Sequence, residues 1–185
     1  MFDELHQKDG QKRFVIYIKF GCHWPYLLNF DSSKPVFTPI QQSTATPMTK
    51  SNKQLIVNTY LNSIYYNVDH FMKRIVENVN PSENFVFYTS DHGQSILEKD
   101  ISRTHCSSNV DNIPRSEFDV PLILYSTQLD HLKESRGYSQ IQIFPTTLNL
   151  MGYNESVHKG VSIMKGKARS RSSFITGTGK LFEFN

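Results

Sequence analysis

The stretch FVFYTSDHG at residues 85–93 joins a run of apolar and aromatic residues to a short polar turn. Such an uninterrupted run is typical of a buried strand. Ser90, Asp91 and His92 follow it, and Gly93 allows the chain to bend sharply. A carboxylate and an imidazole in one turn can face one ion, and oxygen and nitrogen donors suit zinc or manganese. The alternative is a surface turn in which Asp91 caps the next helix.

Two further runs have the same strand character, and two segments have the apolar three-to-four spacing of helices. The strands are predicted at 14–20 and 120–125, the helices at 54–79 and 142–151, and a short last strand at 174–176. Strands that alternate with helices predict an α/β fold, with a mostly parallel sheet flanked by helices.

Histidines follow the predicted strands at corresponding places. His23 comes just after the first strand, as Asp91 and His92 come after the second, and His105 lies in a third loop beside Cys106. Ligands of open α/β sheets bind beyond the carboxyl ends of the strands. We therefore expect these four side chains at one edge of the sheet, although a single loop histidine is more often an ordinary solvated residue.

Composition excludes several classes of protein. The chain has 185 residues, of which 38% are hydrophobic and 20% charged, as in a single globular domain. Collagen, coiled-coil and disulfide-scaffold proteins are excluded, and no apolar run predicts a membrane span or an export signal. The net charge is +3, with a basic segment at 159–185. That segment could touch nucleic acid or anionic lipid, but we expect a solvated surface and no nucleic-acid partner, because no aromatic residues alternate with the basic ones.

Four motifs occur in a fixed order over residues 10–153. They are Gly-x-His after the first strand, Asn-Thr-Tyr-x-Asn-Ser at 58–63, Ser-Asp-His-Gly at 90–93, and Phe-Pro-Thr at 144–146 before a glycine. Together they resemble the catalytic domain of bacterial phosphoethanolamine transferases, in the sulfatase branch of the alkaline phosphatase superfamily. The resemblance implies an alkaline-phosphatase-like fold and transfer of phosphoethanolamine from a phospholipid donor to an envelope glycolipid or glycan.

The resemblance also assigns roles to residues. It makes Asp91 and His92 ligands of a catalytic zinc ion, and it makes His23 and His105 catalytic and substrate-binding residues that contact the phosphoryl group or a second zinc. Two other functions stay open: hydrolysis of the sulfatase or phosphodiesterase type, and an inactive fragment without catalytic function.

Some features of the family do not map onto this chain. The nucleophilic Thr and a carboxylate zinc ligand belong to the preceding half of the family domain. We therefore expect residues 1–185 to form a partial domain, with weak zinc binding and no turnover on its own. The family is anchored in the inner membrane with a periplasmic catalytic domain, so membrane contact is expected only through the missing N-terminal part.

Local departures concern a disulfide and a helix cap. The family often has a disulfide after Phe-Thr-Pro, and here Ile40 and Gln41 follow instead. Gln142 replaces the carboxylate that commonly opens the Phe-Pro-Thr helix, which predicts a weaker cap. Cys22 and Cys106 could pair in an oxidising compartment or remain free thiols.

Overall fold

The computed structural model describes residues 2–100, 104–105, 113–129, 132, 137–165, 172–175, 179 and 181–184. The chain divides into two compact units. The first unit contains Met1–Asn80 and Gln94–His105, and the second contains Pro81–Gly93 and Cys106–Asn185. Among the described residues, no helix has the length and apolar character that crossing a membrane would require.

The first unit is helical. After α1 (Phe2–Leu5), the main element is α2 (Lys53–Ile64), which continues through a π-helical turn at Tyr65–Asp69 into α3 (His70–Asn78). The long helix predicted at 54–79 is thus confirmed, with an interruption that the apolar spacing did not indicate. It ends where expected, since Val79 is already extended before Pro81 removes a backbone donor.

The buried face of α2 is mostly polar. Beside Ile56 it carries Asn58, Thr59, Asn62 and Ser63, all buried. The apolar stripe that predicted the helix is only partly covered, and its member Val76 is 55% exposed. A small core forms where Ile56 meets two other buried residues, Tyr26 and Ile96.

The prediction of a strand at 14–20 is wrong. This segment has no regular secondary structure, and Ile18 and Phe20 are 88% and 82% exposed. One face has partial cover, because Tyr17 stacks on Phe71 at 5.5 Å between ring centroids and Lys19 Nζ lies 4.3 Å from the same ring. A strand requires a neighbouring strand to pair its backbone groups, and no described strand pairs with this segment.

The second unit contains the other two predicted strands, β1 (Val86–Thr89) and β2 (Leu122–Tyr125). Both predictions are confirmed, but the two strands pair antiparallel, and no parallel pair occurs among the described strands. Hydrogen bonds beside the strand pair support this orientation, because Pro81 O accepts from Thr127 N at 3.1 Å and from Ser126 Oγ at 3.0 Å. These bonds hold the segment that precedes β1 against the residues that follow β2.

The predicted helix at 142–151 is present as α4 (Ile143–Leu150), entered through a 3-10 turn at Gln140–Gln142. Gln142 still takes part in the cap at the start of this helical segment. Its buried amide oxygen accepts a hydrogen bond from Ser139 N at 2.9 Å, as a carboxylate would. Gly152 follows the helix with a φ of 90°, a conformation that favours glycine.

The chain ends in a hairpin. Strand β3 (Ser172–Ile175) pairs antiparallel with β4 (Leu181–Phe184). The short strand predicted at 174–176 therefore overlaps β3, and Thr176 lies outside the described residues. The second strand of this pair was not predicted.

Candidate functional site

The turn after β1 carries a carboxylate and an imidazole side by side. Asp91 Oδ2 lies 3.8 Å from His92 Nε2, and the Asp91 side chain is 86% exposed. His92 Nδ1 donates to Gly93 O at 2.8 Å, so Nδ1 carries a proton and Nε2 is the ring nitrogen that lies near the Asp91 carboxylate. Asp91 Oδ1 accepts from His92 N at 3.0 Å, and Asp91 caps no described helix.

Position 93 requires a glycine because a larger side chain would collide with a neighbouring segment, and not because the chain bends there. A Cβ atom on Gly93 would lie 1.8 Å from Ser116 O, and Gly93 N donates to Glu117 O at 2.9 Å. On the other side of the turn, Gln140 Nε2 donates to Ser90 O. The turn is thus clamped between two other segments of the second unit, which holds Asp91 and His92 in a fixed backbone frame.

The Asp91–His92 pair fits part of a zinc site. Two ligands on one tetrahedral zinc lie about 3.4 Å apart, close to the separation observed here. Oxygen and nitrogen are both suitable donors. Among the described residues, however, no group of three or more His, Cys, Asp or Glu side chains could hold a metal ion. The pair therefore offers two of the usual four ligands.

The other two predicted site residues lie together in the first unit. The rings of His23 and His105 have centroids 6.2 Å apart and meet edge to face at 65°. His23 Nδ1 donates to Trp24 O at 2.6 Å, and Asn29 Nδ2 donates to His23 O at 2.6 Å. The four predicted residues therefore form two pairs, one in each unit.

The neighbour of His23 has a perturbed thiol. Cys22 is free, and burial raises the pKa of its thiol, an effect that Ser63 and the cation of Lys19 partly oppose. Cys106 lies outside the described residues, and Cys22, which could pair with it in an oxidising compartment, is a free thiol in this structure. Burial also raises the pKa of Tyr26, whose hydroxyl donates to Gln94 Oε1 at 2.9 Å.

The polar face of α2 holds a loop that residue-type reasoning did not connect to it. Asn62 Oδ1 accepts from Val36 N at 2.7 Å and from Phe37 N at 3.1 Å, and Asn62 Nδ2 donates to Phe37 O at 2.7 Å. We call residues 36–41 the 36–41 loop. Its backbone is therefore fixed by one buried amide that satisfies three loop groups.

Two more side chains of the same face extend this attachment. Asn58 Nδ2 donates to Pro39 O at 2.9 Å, and Thr59 Oγ1 accepts from Gln41 N at 2.9 Å. The signal for this was present in the Asn-Thr-Tyr-x-Asn-Ser motif, whose polar residues share one helix face at three-to-four spacing. Their partners lie about twenty residues away, which helical spacing cannot indicate.

Comparison with known proteins gives a consistent result. The family model described as Sulfatase matches residues 1–153. The Kdo(2)-lipid A phosphoethanolamine 7''-transferase of Escherichia coli strain K12 is 25% identical over 174 residues, covering 83% of this chain and 29% of that protein. The Salmonella typhimurium protein of the same name is 25% identical over 169 residues, with the same coverage.

A third relative comes from Helicobacter pylori. The phosphoethanolamine transferase EptA of Helicobacter pylori is 25% identical over 146 residues, covering 76% of this chain and 26% of that protein. The chain thus spans less than a third of the length of each of these three relatives. Residues 1–153, which the family model covers, include the Asp91–His92 pair, the His23–His105 pair and the Asn-Thr-Tyr-x-Asn-Ser helix.

Proposed function

The chain belongs to the sulfatase family, and on that basis we propose that it contributes to metal-dependent transfer of phosphoethanolamine. Its relatives are named as phosphoethanolamine transferases, which supports this reaction. Family membership carries an alkaline-phosphatase-like α/β fold, in which we infer a mostly parallel sheet in addition to the antiparallel β1–β2 pair. We propose a phospholipid as donor and an envelope glycolipid or glycan as acceptor, at the periplasmic face of the inner membrane.

The observation that carries the proposal is the Asp91–His92 pair on its clamped turn. We propose that Asp91 Oδ2 and His92 Nε2, 3.8 Å apart, bind zinc. Zinc held by these two residues would supply a Lewis acid for a phosphate oxygen and would offset negative charge there. The Nδ1 hydrogen bond to Gly93 O orients the His92 ring, as outer partners of metal-bound histidines commonly do.

We propose that the His23–His105 pair acts on the phosphoryl group. Two imidazoles 6.2 Å apart can contact different oxygens of one tetrahedral phosphoryl group, or one can donate a proton to the departing oxygen. Because His23 Nδ1 donates to Trp24 O, contact with a phosphoryl oxygen falls to Nε2, which donates a proton when the ring is in its imidazolium form. In this proposal the two histidines position the phosphoryl group, and one of them donates a proton to the departing oxygen.

Zinc titration of the purified chain by isothermal calorimetry tests the metal site. We expect weak binding, micromolar or weaker, because two protein ligands do not complete a tetrahedral site. Asp91→Ala and His92→Ala should each weaken it by roughly tenfold or more, since loss of even an outer partner costs that much. His6→Ala is the control, because His6 Nε2 bonds instead to Asn78 O in the first unit. Binding that is equal in all four proteins would remove the proposal.

A further inference from the structure

The segment at residues 14–20 presents one apolar face to solvent. The even-numbered side chains of the segment form this face, and Phe14 is 58% exposed, Ile16 69%, Ile18 88% and Phe20 82%. We call these four residues the open face. Contiguous apolar patches of this kind on a folded protein usually mark a surface that another molecule covers.

The odd-numbered side chains of the segment lie on its other face. Each of them is less exposed than its even-numbered neighbours. Tyr17 stacks on the Phe71 ring, and Lys19 Nζ lies over the same ring. Residues two apart reach one ring because an extended chain places alternate side chains on the same side. Helix α3, which carries Phe71, therefore supports the segment from behind and leaves the open face uncovered.

The order of residues along the open face is symmetric. It is Phe, Ile, Ile, Phe at two-residue spacing, with Tyr17 at the centre. A two-fold axis beside Tyr17 would place Phe14 opposite Phe20 of a second copy. The same axis would place Ile16 opposite Ile18 of that copy. A two-fold dimer brings the same patch of both subunits together, so it requires a face that is complementary to itself in this way.

The charges beside the segment favour a second copy over a membrane. Within 14–20, the open face carries no charged side chain. Two nearby cations are engaged elsewhere, since Lys19 lies over Phe71 and Arg13 Nη1 donates to Asp9 Oδ1 at 2.9 Å. An anionic lipid surface attracts basic residues displayed beside apolar ones. A face without charge suits an equally uncharged partner better.

The size of the open face fits a weak dimer. At the exposures given above, its four side chains offer roughly 500 Å² of apolar surface in each copy. Two copies would bury roughly 1,000 Å² in total, which is near the lower limit for a specific protein interface. Association should therefore be measurable at micromolar concentrations.

We propose that the open face is a homodimer interface, in which the 14–20 segments of two copies pack face to face and antiparallel. The α3 helix of each copy then lies outside its own segment, so the apolar side chains of both segments are enclosed. The inference does not depend on the proposed function, since neither the Asp91–His92 pair nor the His23–His105 pair belongs to the open face.

Sedimentation velocity of the full 185-residue chain tests the interface. The parent should change from monomer to dimer as its concentration rises through the micromolar range. A reducing agent is present throughout, so that the free thiol of Cys22 cannot join two copies. Ile18→Glu should weaken dimerisation by roughly tenfold or more, because the interface would bury an unpaired charge. Leu28→Glu is the matched control, since Leu28 is 71% exposed in the same unit outside the open face, and it should dimerise as the parent does.

Two complementary variants test the antiparallel register. Ile16→Lys alone should also weaken dimerisation by roughly tenfold or more. An equimolar mixture of Ile16→Lys and Ile18→Glu should dimerise more tightly than either variant alone. In the proposed register, the added cation of one chain faces the added anion of the other, and the two unchanged isoleucines face each other across the axis. High salt should reduce this recovery, because it screens the pair of charges.

The inference is overturned if the parent stays monomeric at every concentration, or if Ile18→Glu dimerises as well as the parent. It is also overturned if the mixture dimerises no better than each variant alone, because the copies would then not pack antiparallel about Tyr17. Binding of a monomeric parent to phosphatidylglycerol vesicles would overturn it as well, and would assign the open face to a membrane surface.

Discussion

Replacing Asn62 by alanine should release the 36–41 loop and destabilise the first unit. The Asn62 side chain is fully buried and makes three bonds to loop backbone groups, at 2.7, 3.1 and 2.7 Å. At about 0.5 to 1.5 kcal/mol each, the three bonds contribute about 1.5 to 4.5 kcal/mol. Alanine recovers about 0.5 kcal/mol through its better helix propensity. The expected net loss in the free energy of unfolding is about 1 to 4 kcal/mol.

The assay is urea unfolding followed by tryptophan fluorescence. Trp24 is the only tryptophan of the chain, and it packs against the first unit's core with its ring centroid 5.1 Å from that of Tyr26. Asn78→Ala is a matched control, because Asn78 is an exposed asparagine of α3 that makes one bond to Arg74 O. Its expected effect is within about 0.5 kcal/mol.

Hydrogen exchange gives a local measurement of the same change. The amide protons of Val36 and Phe37 donate to Asn62 Oδ1, so they should exchange much faster in Asn62→Ala than in the parent. If Asn62→Ala costs no more than Asn78→Ala, and the two amides keep their protection, the attachment of the loop to α2 is not a stabilising feature.

Three further predictions follow from single positions. Gly93→Ala should lower the free energy of unfolding by more than about 3 kcal/mol and abolish zinc binding, because its Cβ would lie 1.8 Å from Ser116 O. A variant that is stable and still binds zinc in calorimetry would contradict this. Ile18 is 88% exposed, so Ile18→Ala should change the free energy of unfolding by less than about 0.5 kcal/mol. Ile56 is fully buried, so Ile56→Ala should lower it by about 2 to 5 kcal/mol. Similar midpoints of the two variants in urea would instead support a buried strand at 14–20. In a Cys106→Ser background, Cys22 should react with a thiol reagent more slowly than free cysteine at about pH 8, because burial raises the thiol pKa and lowers the thiolate fraction. The rate should rise with pH. A rate equal to that of free cysteine would refute this.

Local patterns predicted the elements well where local physics forms them. The helix over 54–79 follows from its apolar spacing and from Pro81, and α4 follows from its own spacing and Gly152. The runs at 86–89 and 122–125 are strands, as their β-branched and aromatic residues indicated. The Asp91–His92 turn also followed from sequence, because adjacent residues in a tight turn are close whatever surrounds them.

Other predictions failed because they concerned partners distant along the chain. Apolar character at 14–20 indicated a buried strand, but burial requires a neighbour, and no described strand pairs with this segment. The sequence predicted a mostly parallel sheet, but β1 and β2 pair antiparallel. Apolar residues suit a parallel or an antiparallel neighbour equally well, so they could not indicate this direction.

By itself, the sequence determined where the helix over α2 and α3, helix α4 and strands β1 and β2 lie, and it placed Asp91 beside His92. Tertiary structure alone decided that a side chain at position 93 would collide with Ser116 O and that Asn62 binds a loop about twenty-five residues away. It also decided that the Gln41 amide is buried with no hydrogen-bond partner among the described residues. The physical reason is range. Backbone propensity acts over a few residues, whereas hydrogen-bond pairing, close packing and burial depend on which distant segments meet in three dimensions.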